Sequence, residues 1–198
     1  RGLFIPEEGC QWGSFDYAGQ EPRMLIHYAS IMPEHMRHPM VDDIVIAYNK
    51  GEGADLHQMV ADMAGVTRKT AKAINLGIMY GMGIPKLAVN LNIPVAEARE
   101  LKANYVQKVP WIPAMAKATQ ERAAKHGKIR TICGRLGRWN KWEAAGFGFT
   151  KELPFDEAQA EYGPGIKRAR TYKALNKLIQ GSAADQTKMA MAECYEAG

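Results

Sequence analysis

The chain has 198 residues, 46% hydrophobic and 24% charged, which is enough to bury the core of one large domain or two small ones. Basic residues outnumber acidic ones by 26 to 21, which favours an anionic partner such as nucleic acid, a nucleotide or an acidic membrane surface. The three cysteines are far apart, which supports neither a disulfide framework nor a zinc site, and no apolar stretch could cross a bilayer. We therefore expect a soluble, intracellular protein.

Two strands and a helix are predicted near the start of the chain. Residues 3–5 and 11–17 read as short strands, because apolar residues there lie between turn-forming glycines. Residues 21–29 carry apolar side chains at helical spacing. Residues 31–52 are rich in Pro, Met, His and Asp and keep no lasting period, which predicts a loop with a short helix.

The middle of the chain is predicted to be helical. Apolar spacing predicts four helices, over residues 54–64, from residue 68 to the glycine-rich residues 80–83, over 95–107 and over 113–126. Thr67 is the predicted N-cap of the second of these helices, and Pro94 opens the third.

The last third is predicted to contain a hairpin, an insertion and a long helix. Residues 127–138 predict a β-hairpin, because two glycines bracket alternating isoleucines. Residues 139–165 are rich in glycine and aromatic residues with little period, which indicates an insertion. Residues 168–197 are predicted to be one helix. No internal repeat is present, so a solenoid fold is excluded.

The helix after Thr67 carries a stripe of side chains at every fourth residue, namely Arg68, Lys72, Leu76 and Tyr80. Side chains at this spacing share one helix face. Two cations near the positive helix N-terminus, followed by an apolar residue and an aromatic ring, suit a nucleoside triphosphate lying along the helix. An ordinary amphipathic helix with a solvated basic face shows the same pattern, and the spacing alone leaves both interpretations open.

Asp16 lies at the end of a predicted strand and precedes a predicted helix. A carboxylate on a rigid element is a hard oxygen ligand of the kind that a Mg²⁺ site bound to substrate phosphates needs. An aspartate before a helix is also commonly an N-cap or turn residue.

Asn176 and Gln180 lie four residues apart on the last predicted helix. Two amides on one helix face can reach minor-groove acceptors, which are nearly the same for every base pair. Two exposed polar residues would give the same spacing. The basic residues of 117–141, with Glu121 as the one acidic residue among them, likewise suit either phosphates or a solvated face.

Four segments, in the same order, resemble family A DNA polymerases. Residues 16–23 are similar to the family's motif A, Asp-Tyr-Ser-Gln-Ile-Glu-Leu-Arg, and residues 68–81 resemble motif B. Residues 55–57, Asp-Leu-His, resemble the Asp-Ile-His that precedes motif B. Residues 176–185 are similar to the family's Asn-x-x-x-Gln-Gly-Thr-Ala-Ala-Asp. The similarity covers nearly the whole chain.

The resemblance implies catalytic and nucleotide-binding roles. Asp16 and the backbone carbonyl of Tyr17 would bind two Mg²⁺ ions. The triphosphate of a deoxynucleoside triphosphate would be held by His57, Arg68 and Lys72, and Lys72 would also protonate the pyrophosphate leaving group. The remaining nucleotide contacts would come from Glu21 and Tyr80 at the sugar 2′ position and from Leu76 at its 3′ side.

The resemblance also implies contacts with a DNA primer-template, made by Gly81, Arg135, Tyr172, Asn176 and Gln180. Bacterial members usually carry Phe at the position of Leu76 and Arg at that of Tyr172. These departures and the insertion are more typical of phage members, for which the host bacterial cytoplasm would be the location. The sequence identifies no processivity factor.

The implied fold is α+β and mostly helical, with a partial palm of short antiparallel strands plus the fingers of a right-hand DNA polymerase. Residues 1–50 would belong to the palm with motif A and residues 51–115 to the fingers. Residues 116–198 would return to the palm with the basic hairpin, the insertion at 139–165 and the helix bearing both amides.

The implied reaction is template-directed addition of deoxynucleotides to a primer 3′ end by two-metal phosphoryl transfer. The family's second catalytic carboxylate lies in motif C, a His-Asp-Glu hairpin, and nothing like it occurs in the sequence. We therefore expect this chain to be cut from a longer one and to be inactive alone. A non-catalytic module that binds primer-template or nucleotide is the alternative.

Overall fold

The computed structural model describes residues 5–50, 54–146 and 150–197. The helices in this part of the chain are α1 Gln20–Ser30, α2 Met40–Asn49, α3 Leu56–Ala64, α4 Arg68–Met79, α5 Ile84–Leu91, α6 Val95–Lys108, α7 Trp111–His126, α8 Phe155–Tyr162 and α9 Ala174–Ala197. The strands are β1 Lys128–Arg130, β2 Leu136–Arg138, β3 Trp142–Ala144 and β4 Ile166–Arg168. The α+β, mostly helical class is confirmed. None of the described helices is long and apolar enough to cross a membrane.

One hydrophobic core joins helices from both halves of the chain. Its fully buried side chains include Leu25 of α1, Ile74 of α4, Ile112 of α7 and Ile179 of α9. Burial of such side chains contributes roughly 1.5–3 kcal/mol each. The core thereby fixes α4 relative to α1 and α9, the helices that carry the other candidate segments.

The ends of α3 and α4 are set by local side-chain caps. The Asp55 carboxylate accepts a hydrogen bond from the His57 amide at 2.8 Å and so starts α3. Gly65, with φ +68°, ends that helix in a left-handed conformation that favours glycine. Thr67 Oγ1 accepts from the Thr70 amide at 3.2 Å, which confirms the predicted N-cap of α4.

The predicted hairpin is confirmed. Strands β1 and β2 pair antiparallel, with Ile129 opposite Gly137. Ile129 is buried in a second small cluster with Trp139 and Leu178. This packing places the basic hairpin directly against α9.

The predicted strand at residues 11–17 is wrong. These residues are exposed and lie outside both sheets, and Phe15 is 97% exposed. A short strand needs a partner strand, and the described chain offers none there. The other early strand, at residues 3–5, lies mostly outside the described residues, and Ile5 is not in a strand.

Helix α2 is longer than the sequence predicts, and helix α5 is not predicted at all. Residues 31–52 were predicted to be mostly loop, but α2 occupies ten of them and buries Val41 and Ile44. Helix α5 was missed because Gly83 and Pro85 resemble breakers. Proline in the first turn opens a helix, since its missing N–H would be unbonded there anyway.

The segment after the hairpin is more ordered than expected. Residues 139–165 contain β3 and α8, and β3 pairs antiparallel with β4. This pairing, together with Arg170 at φ +54°, delays the last helix to Ala174 instead of residue 168.

Candidate functional site

Helix α4 divides its side chains as its periodicity requires. Arg68 and Lys72 are exposed near the N-terminal end, while Ala71 and Ile74 are buried. Leu76, and Tyr80 just after the helix, are partly buried. The stripe therefore runs from solvent-accessible cations to a half-buried aromatic ring.

Arg68 is held by the residue that caps α3. Its Nε and Nη2 atoms lie 2.7 Å and 2.6 Å from Asp55 Oδ2. Burial pushes the Asp55 pKa upward, but the Arg68 hydrogen bond and the α3 amides bring it below its usual value. Asp55 thus stays ionised and fixes the direction of the guanidinium.

His57 is buried and belongs to a polar network. Its Nδ1 lies 3.1 Å from Nδ2 of Asn75, which is fully buried. The Asn75 Oδ1 accepts a hydrogen bond from the Tyr105 hydroxyl, and this fixes the orientation of the amide. Because the Asn75 amide donates to Nδ1, the neutral imidazole carries its proton on Nε2.

Burial lowers the pKa of His57. The Asp55 carboxylate opposes this shift, and the positive charges of Lys72 and Arg68 add to it. The Arg68–Asp55 ion pair and the His57–Asn75 hydrogen bond join α3 to α4. The three residues that the resemblance assigns to a triphosphate thus lie around one end of α4. Asn75 and Tyr105 were not foreseen, although a polar residue on the buried side of α4 was a signal for the former.

Tyr80 connects α4 to α1. Its hydroxyl donates to Glu21 Oε2 at 2.5 Å. Burial, followed by Glu21, raises the pKa of Tyr80 to about 12, and a hydrogen bond from the Gln180 side chain acts in the opposite direction. Side chains of three separate sequence segments therefore meet at one hydroxyl.

Gly81 lies in close contact with Tyr172. A Cβ at residue 81 would stand 2.6 Å from Tyr172 Cδ2, and the backbone φ is +64°. Glycine is needed there for both reasons. The contact brings two residues of the implied DNA surface together beside Tyr80.

Arg135 has protein partners. It donates from Nε to Asp185 Oδ1 at 2.8 Å and from Nη2 to the Gly181 carbonyl at 2.7 Å. Thr131 donates to the other oxygen of Asp185. Burial pushes the pKa of Asp185 upward, but the hydrogen bonds from Thr131 and Arg135 bring it below its usual value. Asp185 and Thr131 thus bind the hairpin to α9, a role that no pattern in the sequence indicated.

The two amides of α9 differ in their surroundings. Gln180 is exposed on the side facing Tyr80. Asn176 is partly buried, and its Oδ1 has no hydrogen-bond partner among the described residues. The two residues lie four positions apart on α9, so helical spacing places them on one face of the helix.

Asp16 and Tyr17 lie on the exposed segment before α1. Asp16 makes no ion pair with Arg68 or Lys72 in the described part of the chain. Gln20, just after it, donates to the Ala183 carbonyl at 3.0 Å and so anchors the segment to α9. Nothing in the sequence pattern indicated this anchor.

The donor set at Asp16 fits one part of a magnesium site. Its carboxylate is an exposed hard oxygen ligand, and a backbone carbonyl at Tyr17 is the kind of second ligand that Mg²⁺ accepts. The nearby Glu21 carboxylate is engaged by Tyr80. The described residues contain no cluster of three or more His, Cys, Asp or Glu that could hold a metal, so Asp16 would need further ligands.

Comparison with known proteins gives matches over the whole chain. A family model described as "DNA polymerase family A" matches residues 1–198. The chain is 37% identical to a DNA-directed DNA polymerase of Pseudomonas phage M6 over 235 residues, covering all of this chain and 32% of that protein. It is 30% identical to the thermostable DNA polymerase I of Thermus aquaticus over 204 residues, covering 98% of this chain and 21% of that protein.

A solved structure is also similar. It is the POL domain of Pol1 from M. smegmatis in complex with DNA primer-template and dNTP, with a TM-score of 0.64 and 26% identity. The match covers 92% of this chain and 29% of that one. The chain thus spans about a third or less of the length of these relatives. With all its residues matched by the family model, the chain belongs to DNA polymerase family A.

Proposed function

We propose that this chain forms the nucleotide-binding part of a DNA-directed DNA polymerase that extends a primer with deoxynucleotides along a template. The observation that carries the proposal is the meeting of Glu21, Tyr80 and Gln180. These residues come from the segments that resemble motif A, motif B and the Asn/Gln helix. Their contact joins three separate parts of the chain at one place.

The triphosphate would lie at the N-terminal end of α4. Arg68 is oriented by Asp55, Lys72 is one turn further along, and His57 is fixed by Asn75. Two exposed cations and an imidazole N–H on Nε2 offer donors to phosphate oxygens. Lys72 would also give a proton to the pyrophosphate as it leaves.

The sugar would lie against Glu21 and Tyr80. The hydrogen bond of 2.5 Å between them would close the space into which a 2′-hydroxyl projects. Leu76 lies one turn before Tyr80 and would contact the 3′ side of the sugar. This arrangement favours deoxynucleotides over ribonucleotides.

The primer-template would lie across Gly81, Tyr172, Asn176 and Gln180. The contact between Gly81 and Tyr172 and the position of Gln180 beside Tyr80 support one continuous surface. Arg135 would add positive charge next to this surface while it fastens the hairpin to α9. We assign residues 1–50 and 116–198 to the palm and residues 51–115 to the fingers.

Asp16 and the Tyr17 carbonyl would hold Mg²⁺ together with ligands from elsewhere in the protein. Two such ions, when bound, stabilise the attacking and leaving oxygens of an in-line displacement. The phage relatives support the cytoplasm of a bacterial host as the place of action.

Primer extension by the full-length protein that carries this chain tests the proposal. Asp16→Ala should abolish nucleotide addition and leave DNA binding largely intact. Lys72→Ala should slow incorporation far more than it weakens binding of the primer-template. The exposed residues Asp156 and Lys86 supply matched controls, and their alanine variants should extend normally.

Two outcomes would contradict the proposal. Normal extension by Asp16→Ala would remove the metal role, and an unchanged incorporation rate in Lys72→Ala would remove that lysine from the site. A wild-type protein that binds primer-template but adds no nucleotide under any divalent metal would favour the non-catalytic binding module instead.

A further inference from the structure

A basic cleft lies between the end of β2 and the start of α9. Its volume is about 370 Å³, and its walls carry five cationic side chains, which are Arg138, Lys141, Arg170, Lys173 and Lys177. It is lined by residues 138–141 and by four residues between positions 169 and 177. Part of this cleft comes from the ordered segment after the hairpin, which also contributes Glu152.

Most of the positive charge in the basic cleft is uncompensated. Glu152 forms an ion pair with Arg170. Within the described residues, no carboxylate lies in ion-pair range of the other four cationic side chains that line the cleft, which are Arg138, Lys141, Lys173 and Lys177. Like charges around one cleft repel one another, and an anion bound among them would offset this repulsion.

The hairpin adds to this excess of positive charge. Lys128 of β1 lies directly opposite Arg138 of β2. Directly opposed like charges destabilise a two-stranded sheet. A bound anion would offset that repulsion at Arg138, which also lines the cleft.

The cleft suits a phosphate backbone better than a base. Trp139 is 6% exposed, and the Lys177 ammonium lies 4.7 Å from the centre of its ring. The ring therefore offers no open face on which a base could stack, whereas the lysines and arginines match phosphate oxygens.

The basic cleft is continuous with the surface assigned to the primer-template. Lys173 follows Tyr172 directly, and its ammonium lies 5.8 Å from the centre of the Tyr172 ring. A strand lying on Tyr172 can therefore reach Lys173 at the edge of the cleft.

We propose that the basic cleft binds the phosphodiester backbone of a DNA strand beside the primer-template surface. This inference rests on the proposed function and extends its DNA contacts to residues of the 139–173 segment. The cleft contributes affinity and salt dependence but reads no base sequence, because its cations meet phosphates only.

The test uses the full-length protein and a fluorescent primer-template, with the dissociation constant measured by anisotropy at several salt concentrations. The double variant Lys141→Ala/Lys173→Ala should bind more weakly. Its slope of log K against log salt should fall in magnitude by about 1.8, because each neutralised phosphate of duplex DNA contributes about 0.9. Lys141→Arg/Lys173→Arg should restore the wild-type slope.

Lys86→Ala/Lys188→Ala is the matched control, since it removes two exposed lysines outside the basic cleft. Equal slopes and affinities for the Lys141/Lys173 variant and this control would overturn the inference.

Titration with inorganic tripolyphosphate distinguishes the two sources of phosphate. If the Lys141/Lys173 variant lost tripolyphosphate binding and kept the wild-type DNA slope, the cleft would hold a free polyphosphate, and the inference would again fail.

Failure of this inference differs from failure of the proposed function. A wild-type protein that extends primers while the Lys141/Lys173 variant keeps the wild-type slope contradicts the basic cleft alone. A wild-type protein that neither binds nor extends primer-template contradicts the proposed function itself.

Discussion

The Tyr105→Phe variant tests the buried network that orients His57. The hydroxyl of Tyr105 donates to Asn75 Oδ1, and both residues are almost completely inaccessible to solvent. Phenylalanine keeps the ring, so no large cavity forms, but the Asn75 oxygen loses its donor. Leaving a buried acceptor unsatisfied costs about 1–3 kcal/mol.

Urea unfolding measures this cost. With a slope of about 2 kcal/mol/M, a loss of about 2 kcal/mol moves the midpoint down by about 1 M at unchanged slope. Tyr162→Phe is the control, because the Tyr162 hydroxyl donates to the exposed Lys151 carbonyl at 3.1 Å. That surface change should stay within about 0.5 kcal/mol.

A second readout connects the network to the site. In the full-length protein, a freed Asn75 amide no longer holds the His57 imidazole, so the KM for deoxynucleotides should rise in Tyr105→Phe and not in Tyr162→Phe. Equal midpoints for the two variants would mean that the Tyr105 hydroxyl does not stabilise the buried Asn75.

Four further predictions follow from particular contacts. Glu21→Ala should raise ribonucleotide incorporation relative to deoxynucleotide incorporation, and an unchanged ratio in single-turnover assays would contradict the sugar contact. Gly81→Ala should cost about 1–3 kcal/mol from its positive φ alone, plus the clash with Tyr172, and Tyr172→Ala should relieve only the clash in a double-mutant cycle. Asp185→Asn should lower the urea midpoint by the equivalent of about 1.5–3 kcal/mol, since it removes a charged hydrogen-bond partner. Because the folded pKa of His57 lies below 6.5, its contribution to stability is complete above that pH and is lost as the pH falls through the folded pKa, so His57→Gln should weaken the pH dependence of the midpoint below pH 6.5.

Helix α4 was the element best predicted from sequence. Its N-cap at Thr67 and its buried residues Ala71 and Ile74 follow from local spacing and capping, which are short-range effects. The early strand at residues 11–17 failed for the opposite reason. A strand depends on a distant partner, which a local pattern cannot supply.

The sequence predicts the candidate residues but not the contacts between them. Motif resemblance assigns Glu21 and Tyr80 to one sugar contact, which stays a prediction, and the structure brings the two side chains into hydrogen-bond contact. The network through Asn75 and Tyr105 joins residues 18 and 30 positions apart in the chain. Such pairings depend on how α3, α4 and α6 pack, which no single-segment pattern contains.

A structure of the full-length protein with primer-template, a non-hydrolysable deoxynucleotide and Mg²⁺ would show whether Asp16 and the cations of α4 act on the same nucleotide. We predict that one triphosphate contacts Arg68 and Lys72 and shares a Mg²⁺ ion with the Asp16 carboxylate. A nucleotide bound away from α4, or an Asp16 carboxylate too distant to share a metal with its phosphates, would rule out the proposed site.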